Sequence, residues 1–401
     1  MSKSKNILFI FNRILSENDF TKFGFDIFLK HGWCVDIIIL QENNAENKNL
    51  FYNKLKEIDG INISLIDSSV TFIKKIFSYK KKFYYFLAYN HSYKLFFQIP
   101  LYFLKGRKIE IDAGRTPSHS LSSVNRVKLL MDDNSLFNSL LNIYKFLVST
   151  IRDKINVKIS NLFRVKAYIA ITAISQNSNK KINANNNIVT HMLEYDNYIR
   201  ANKSTTSDKV FVKKEPIIFI DQALDHHSDF IIHGKNFPVT EEKYWNSLKL
   251  FFDKLSKLYD REVLVCPHPK NKKRYSSMNY TKVSAALSIK NCNFVIGHDS
   301  TALIHAVLFD KPIIFLTTDE MSNKKNLQNN AHFRVINFAN SLAKKVINID
   351  NYSKRDFDKQ LEISTSHYEK FIADYIKEKN TDERLFWEIF MTKEVEFEEN
   401  S

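Results

Sequence analysis

Short apolar runs recur along the chain, and most stop abruptly at a glycine or a polar residue. Residues 7–11, 35–40 and 61–66 read as strands, and the stretches between them carry apolar residues at helical spacing. Phe20, Phe23, Ile27 and Phe28 place one apolar face on a helix over 19–30, which Gly32 closes, and a second helix is expected over 49–58. This strand–helix–strand rhythm predicts a parallel sheet with right-handed crossovers. The same rhythm returns later, with strands at 216–221, 262–266, 294–296 and 312–316 and helices over 241–259, 282–290 and 300–309. In the first of these helices Tyr244, Leu248, Phe251, Leu255 and Leu258 share a face.

The middle of the chain is less regular. Residues 72–104 interleave Lys74, Lys75, Lys80, Lys81 and Lys82 with Phe77, Tyr79, Phe83, Tyr84, Tyr85 and Phe86, which reads as core helix packing or as a basic aromatic face for an anionic membrane. A strand over 108–112 runs into the loop Ala113, Gly114, Arg115. A long helical stretch over 124–162, a strand over 167–172 and an extended segment over 188–198 follow. Residues 201–215 are polar and poor in core formers, and are expected to link two domains. The expected division is an N-terminal Rossmann-like domain over 1–200, the linker, a C-terminal Rossmann-like domain over 216–375, and a helix and acidic tail over 376–401, frayed over 394–401. A length of 401 residues supports two cores rather than one.

Composition narrows the classes. A hydrophobic fraction of 44% belongs to a folded protein. No Gly-x-Gly-x-x-Gly and no Walker-type loop occurs, which argues against a Rossmann dehydrogenase and a P-loop NTPase. The net charge of +15 fits an anionic partner, although the abundance of Lys, Asn, Ile and Phe also fits A/T-rich codons. The basic residues are scattered and no recognition module is present, so nucleic acid is not an expected partner. Cys34, Cys266 and Cys292 have neither metal-ligand nor disulfide spacing. No signal peptide and no apolar run near the roughly 20 residues of a membrane span is seen. A cytoplasmic protein, peripheral at most on the inner face of a membrane, is expected.

The chemistry concentrates at strand ends. The strand over 262–266 is followed by His268, Pro269 and Lys270, and the strand over 294–296 by Gly297, His298, Asp299, Ser300 and Thr301. Proline biases His268 towards an extended backbone, where its imidazole can donate to a phosphate. Ser300 and Thr301 stand at a helix start, offering hydroxyls and free N–H groups to an anion, or simply capping the helix. Two such ends at the carboxyl edge of a parallel sheet suit a nucleotide. Asp221 ends another strand and could act as base or nucleophile. Asp112, Glu194 and Asp196 are alternative acids. Asp225, His226, His227 and Asp229 have metal-ligand composition, but adjacent residues rarely point at one ion, and no metal is expected.

These motifs resemble those of bacterial glycosyltransferases of capsule and lipopolysaccharide synthesis, particularly the sialyltransferase-like and Kdo-transferase-like groups. In those groups a His-Pro motif and a Ser-Ser or Ser-Thr motif contact CMP, and here they correspond to His268-Pro269 and Ser300-Thr301. The resemblance implies an α/β fold with two Rossmann-like domains facing across a cleft (GT-B). It implies a CMP-activated acidic sugar as donor, a cell-surface glycan or glycolipid as acceptor, and no cofactor. Donor contacts would come from His268, Pro269, Lys270, Gly297, Ser300 and Thr301, and acceptor contacts from Arg13, Gly114 and Arg115. The acidic pair that sialyltransferases place before a glycine is reduced here to Asp112, Ala113 and Gly114. Asp112 is then the base of an inverting enzyme, or Asp221 the nucleophile of a retaining one. A CDP-glycerol-type polymer phosphotransferase and a non-catalytic nucleotide- or glycan-binding subunit are the rival readings.

Overall fold

The computed structural model describes residues 5–13, 15–40, 50–79, 84–89, 101, 104, 106–114, 116–117, 148, 151, 165–174, 184–204, 214–227, 230, 236–268, 278–323 and 331–399. The chain forms two compact units. One comprises Met1–Ala113, Tyr144–Leu193 and Asn380–Ser401, the other Gly114–Ile143 and Glu194–Lys379.

The first unit holds a seven-stranded sheet. Its strands are β1 (Asn6–Phe11), β2 (Cys34–Leu40), β3 (Ile61–Ile66), β4 (Tyr85–Tyr89), β5 (Arg107–Asp112), β6 (Ala167–Thr172) and β7 (Ala184–Val189), in the order β3-β2-β1-β4-β5-β6-β7. Every pairing is parallel. Strands β1 and β2 are apolar on both faces because both faces are covered. The aromatic segment expected to be helical divides instead. Ser69–Ser78 is a helix, whereas Tyr85 and Phe86 belong to central strand β4 and are fully buried.

The helix expected over 19–30 is two helices, Glu17–Lys22 and Phe25–Lys30. Gly24 breaks them apart with φ +63, and a Cβ there would lie 2.4 Å from Trp387 Cδ1. Trp387 belongs to the helix Phe386–Glu399, whose buried face packs with Phe9 and Phe28 in the first unit's core. The acidic tail is not frayed through Glu399. Glu394 is buried and accepts from Lys5 Nζ at 2.7 Å. The extended segment expected over 188–198 is the end of β7 followed by a helix, Tyr195–Lys203, whose last turn enters the stretch expected to be linker. Of the helix expected over 124–162, all but residues 148 and 151 lies outside the described residues.

The second unit holds β8 (Ile217–Ile220), β9 (Val263–Cys266), β10 (Phe294–Gly297), β11 (Ile313–Thr317) and β12 (Val346–Asn348), in the order β12-β11-β10-β8-β9. These pairings too are all parallel. β8, β10 and β11 are buried at every position, each large apolar side chain contributing about 1.5–3 kcal/mol. Both sheets therefore have doubly wound, Rossmann-like order. Among the described residues no helix is long and apolar enough to cross a membrane.

Candidate functional site

In the second sheet the chain runs outward from β8 to β9, then returns past β8 to β10 and continues the other way. Loops leaving β8 and β10 diverge at this reversal, and the opening between them is where a doubly wound sheet accepts a ligand. Register aligns the ends. Ile220 pairs with both Cys266 and Gly297, so Asp221, Pro267 and His298 leave the sheet from one row.

His268 stands two residues past β9, half-buried, with its backbone N–H 3.4 Å from Asp221 Oδ2. Its ring meets that of His227 edge to face, centroids 5.1 Å apart. Asp221 is buried, and its other oxygen accepts the Ala223 N–H at 2.9 Å. Both carboxylate oxygens thus engage main-chain donors. The Asp221 carboxylate thereby joins the β8 loop to the β9 loop. Cys266, beside it, has its thiol pushed up to about 12 by burial and by the Asp221 charge, which rules out a ready thiolate.

Gly297 ends β10 where space is short, since a Cβ would lie 3.3 Å from Leu303 Cδ2. The Ser300 hydroxyl accepts the Ala302 N–H at 3.3 Å and caps the 3-10 turn Thr301–Leu303, which continues into the helix Ile304–Leu308. An oxygen accepting a cap bond still carries a hydroxyl proton to donate. Thr301 is exposed. Pro269 and Lys270 lie outside the described residues, and the other residues expected to contact a donor, His268, Gly297, Ser300 and Thr301, lie at one sheet edge.

A latch that sequence reading missed fixes this edge. Gln222 Nε2 donates to Asp299 Oδ1 at 2.7 Å, and Gln222 Oε1 accepts the Asp299 N–H at 3.1 Å. Arg334, from the helix Ala331–Ser341, donates through Nε to the other Asp299 oxygen. The loops after β8 and β10 are thereby bolted together beside Ser300. Below them, His298 is wholly buried. Its Nδ1 donates to the Leu316 carbonyl and its Nε2 accepts from the Tyr244 hydroxyl, each at 2.8 Å. Burial lowers its pKa and keeps it neutral, so His298 is a strut. Helical spacing of Val335, Phe338 and Leu342 could have revealed the Arg334 helix. Nothing local signals the partner of Arg334.

The residues predicted to serve an acceptor or a base end or follow β1 and β5 of the first sheet, with Gly114 and Arg115 already counted in the second unit. Arg13, just past β1, clamps Asp19 with Nη1 and Nη2 at 2.8 and 2.6 Å. Burial would raise the Asp19 carboxyl, but the Arg13 and Ser16 hydrogen bonds outweigh it and hold the group below the ordinary carboxylate value. Arg13 therefore has its charge matched before any acceptor arrives. Asp112 closes β5 half-buried, Gly114 is exposed 3.9 Å (as Cβ) from Glu194 Oε2, and Arg115 lies outside the described residues. Among the described residues no three His, Cys, Asp or Glu side chains form a metal-sized group.

No protein-family model matches the sequence. A comparison with curated proteins likewise returned no match. Solved structures do match in shape. UDP-GlcNAc 2-epimerase from Neisseria meningitidis, bound to UDP-GlcNAc, aligns at TM-score 0.50 and 12% identity over 96% of this chain and 100% of that one. Another UDP-N-acetylglucosamine 2-epimerase aligns at 0.50 and 12%, over 98% and 96%. The calicheamicin glycosyltransferase CalG4 aligns at 0.48 and 8%, over 93% and 94%. At these identities the likeness establishes the fold alone, which with the two sheet orders is of the GT-B type, two Rossmann-like α/β units.

Proposed function

We propose that the chain is a glycosyltransferase whose second unit holds a nucleotide sugar, a CMP-activated acidic sugar of the sialic acid, nonulosonate or Kdo type, for transfer to a cell-surface glycan. The observation that carries this reading is the convergence of His268 and the capped Ser300 turn on the β8/β10 reversal, the ligand position of a doubly wound sheet. The fold supports a nucleotide-sugar ligand too, since the meningococcal epimerase that shares it holds UDP-GlcNAc in its solved structure. The choice of CMP rests on the His-Pro and Ser-Thr motifs, and an anionic donor suits the charge of +15.

In this mechanism an acceptor hydroxyl oxygen attacks the anomeric carbon of the sugar as the bond from that carbon to the phosphate oxygen breaks. His268 donates to the departing phosphate and stabilises its charge. The hydroxyl proton passes to a carboxylate. Asp221 has both oxygens turned to main-chain N–H groups, so we assign it to positioning the His268 loop, and assign the base of an inverting reaction to Asp112.

Melting temperature against CMP, CDP, UDP and GDP tests the reading. A ligand of the native state at a hundred times its Kd adds about 2.7 kcal/mol. Selective stabilisation by CMP, lost in His268→Ala, is expected. A response to UDP or GDP alone would discard the CMP-sugar donor while keeping a nucleotide site. A response to CDP with a phosphoglycerol-sized product would favour the phosphotransferase, and binding without turnover of any donor a binding subunit.

A further inference from the structure

The loop that leaves β8 is built more tightly than a connection requires. Ala223 sits at φ +53, the left-handed region that a residue with a Cβ adopts at a cost of about 1 kcal/mol. Strain of this kind persists where surrounding bonds over-determine the backbone, and it gathers at functional sites. Here Asp221 accepts the Ala223 N–H, and the His226 N–H closes the turn on the Ala223 carbonyl at 3.0 Å. Asp225, itself buried, accepts from His226 Nδ1 on one oxygen and from Trp245 Nε1 on the other at 3.2 Å. Two carboxylates thus pin a short loop from both ends.

The residue delivered by this loop is His227. Its ring lies edge to face with His268 at 5.1 Å, and Phe230 packs against it at 6.4 Å and 84°. His268 reaches the same place from a different strand, and its own backbone is tied to Asp221. One buried carboxylate therefore sets the loops that carry both imidazoles. Both rings are half-buried. Two imidazoles at this separation can each offer an N–H to one oxyanion, and hydrogen bonds to an anion are stronger than those to neutral acceptors.

We propose that His227 is a second imidazole of the phosphate site, gripping together with His268 the phosphate of the bound nucleotide. The inference rests on the nucleotide reading above and adds a residue that the His-Pro and Ser-Thr motifs do not contain. It absorbs the His226-His227 sequence, whose metal-like composition is otherwise unexplained. His226, in this arrangement, is a positioning residue that braces Asp225.

The test compares nucleotide with nucleoside, using CMP and cytidine, or whichever of CDP, UDP and GDP the unaltered protein binds, with its nucleoside. His227→Ala should weaken the nucleotide at least tenfold while leaving the nucleoside unchanged, because only the nucleotide has a phosphate. His227→Gln, which keeps an N–H donor on a more flexible arm, should recover part of the loss. The inference is overturned if His227→Ala leaves nucleotide affinity intact, or weakens nucleotide and nucleoside equally as a packing defect would. Selective loss in His268→Ala without loss in His227→Ala would sink the inference and spare the nucleotide reading. Failure of all four nucleotides to bind would sink both.

Discussion

The loops after β1 and β8 occupy the same topological position, each leaving the strand about which its sheet reverses, and each is organised by a buried carboxylate. They are finished differently. In the first unit Asp19 closes on Arg13 with two hydrogen bonds and on Ser16 with two more, and the chain enters a helix through a capping box. In the second unit Asp221 accepts from main-chain N–H groups, Ala223 is strained, and two imidazoles stand at the edge. The first loop spends its charges on stability. The second holds its backbone off its lowest-energy form to keep side chains in place.

The largest effect should come from breaking the closed loop. Asp19→Ala removes the cap and strands the Arg13 guanidinium, and should cost about 3 kcal/mol in a urea titration. A cost below about 1 kcal/mol would mean the clamp is ornamental. Acid should separate the units next. Burial lowers His305 from 6.5 to about 4, so its contribution to stability is complete above pH 6.5 and is lost as pH falls towards 4, roughly 3 kcal/mol in all. Asp19 behaves as a lowered carboxylate, with stability complete above its ordinary 3.8 and lost only below it. Between pH 6.5 and 4, hydrogen exchange should therefore rise in the second unit while the β1 loop stays protected, and His305→Met should flatten that rise. Equal rises in both units would contradict the assignment. The smallest effect is a gain. Ala223→Gly relieves the left-handed residue and should raise stability by about 0.5 kcal/mol, net of glycine's greater freedom when unfolded. A loss there would show the loop to be unstrained.

Legibility in the sequence followed locality. Runs such as Ile7–Phe11, Ile217–Ile220 and Ile313–Thr317 announce themselves because strands covered on both faces need apolar residues throughout. β4 was hidden because lysines and tyrosines before it mimic a basic helical face, and β7 because Ala184–Val189 carries three asparagines. His268 and Ser300 stand out as candidates because each lies directly after a readable strand. Gln222 and Asp299 stand 77 positions apart, and Asp299 and Arg334 stand 35 apart. Their joint role exists only once the sheet has formed. The position of Asp221 at a strand end is legible in the sequence, whereas the main-chain N–H groups that its two oxygens meet are not.

The helix Phe386–Glu399 has a consequence for how the chain is made. Its Trp387 fills the notch at Gly24 and donates to the Lys22 carbonyl at 3.1 Å, yet a ribosome delivers it only after the whole of the second unit. The second unit can be complete while the first still shows the aromatic surface around Phe9 and Phe28 that this helix will cover. Synthesis therefore passes through a stage in which the first unit waits, sticky and unfinished, for this helix to emerge, a stage at which chaperones or premature termination would decide its fate.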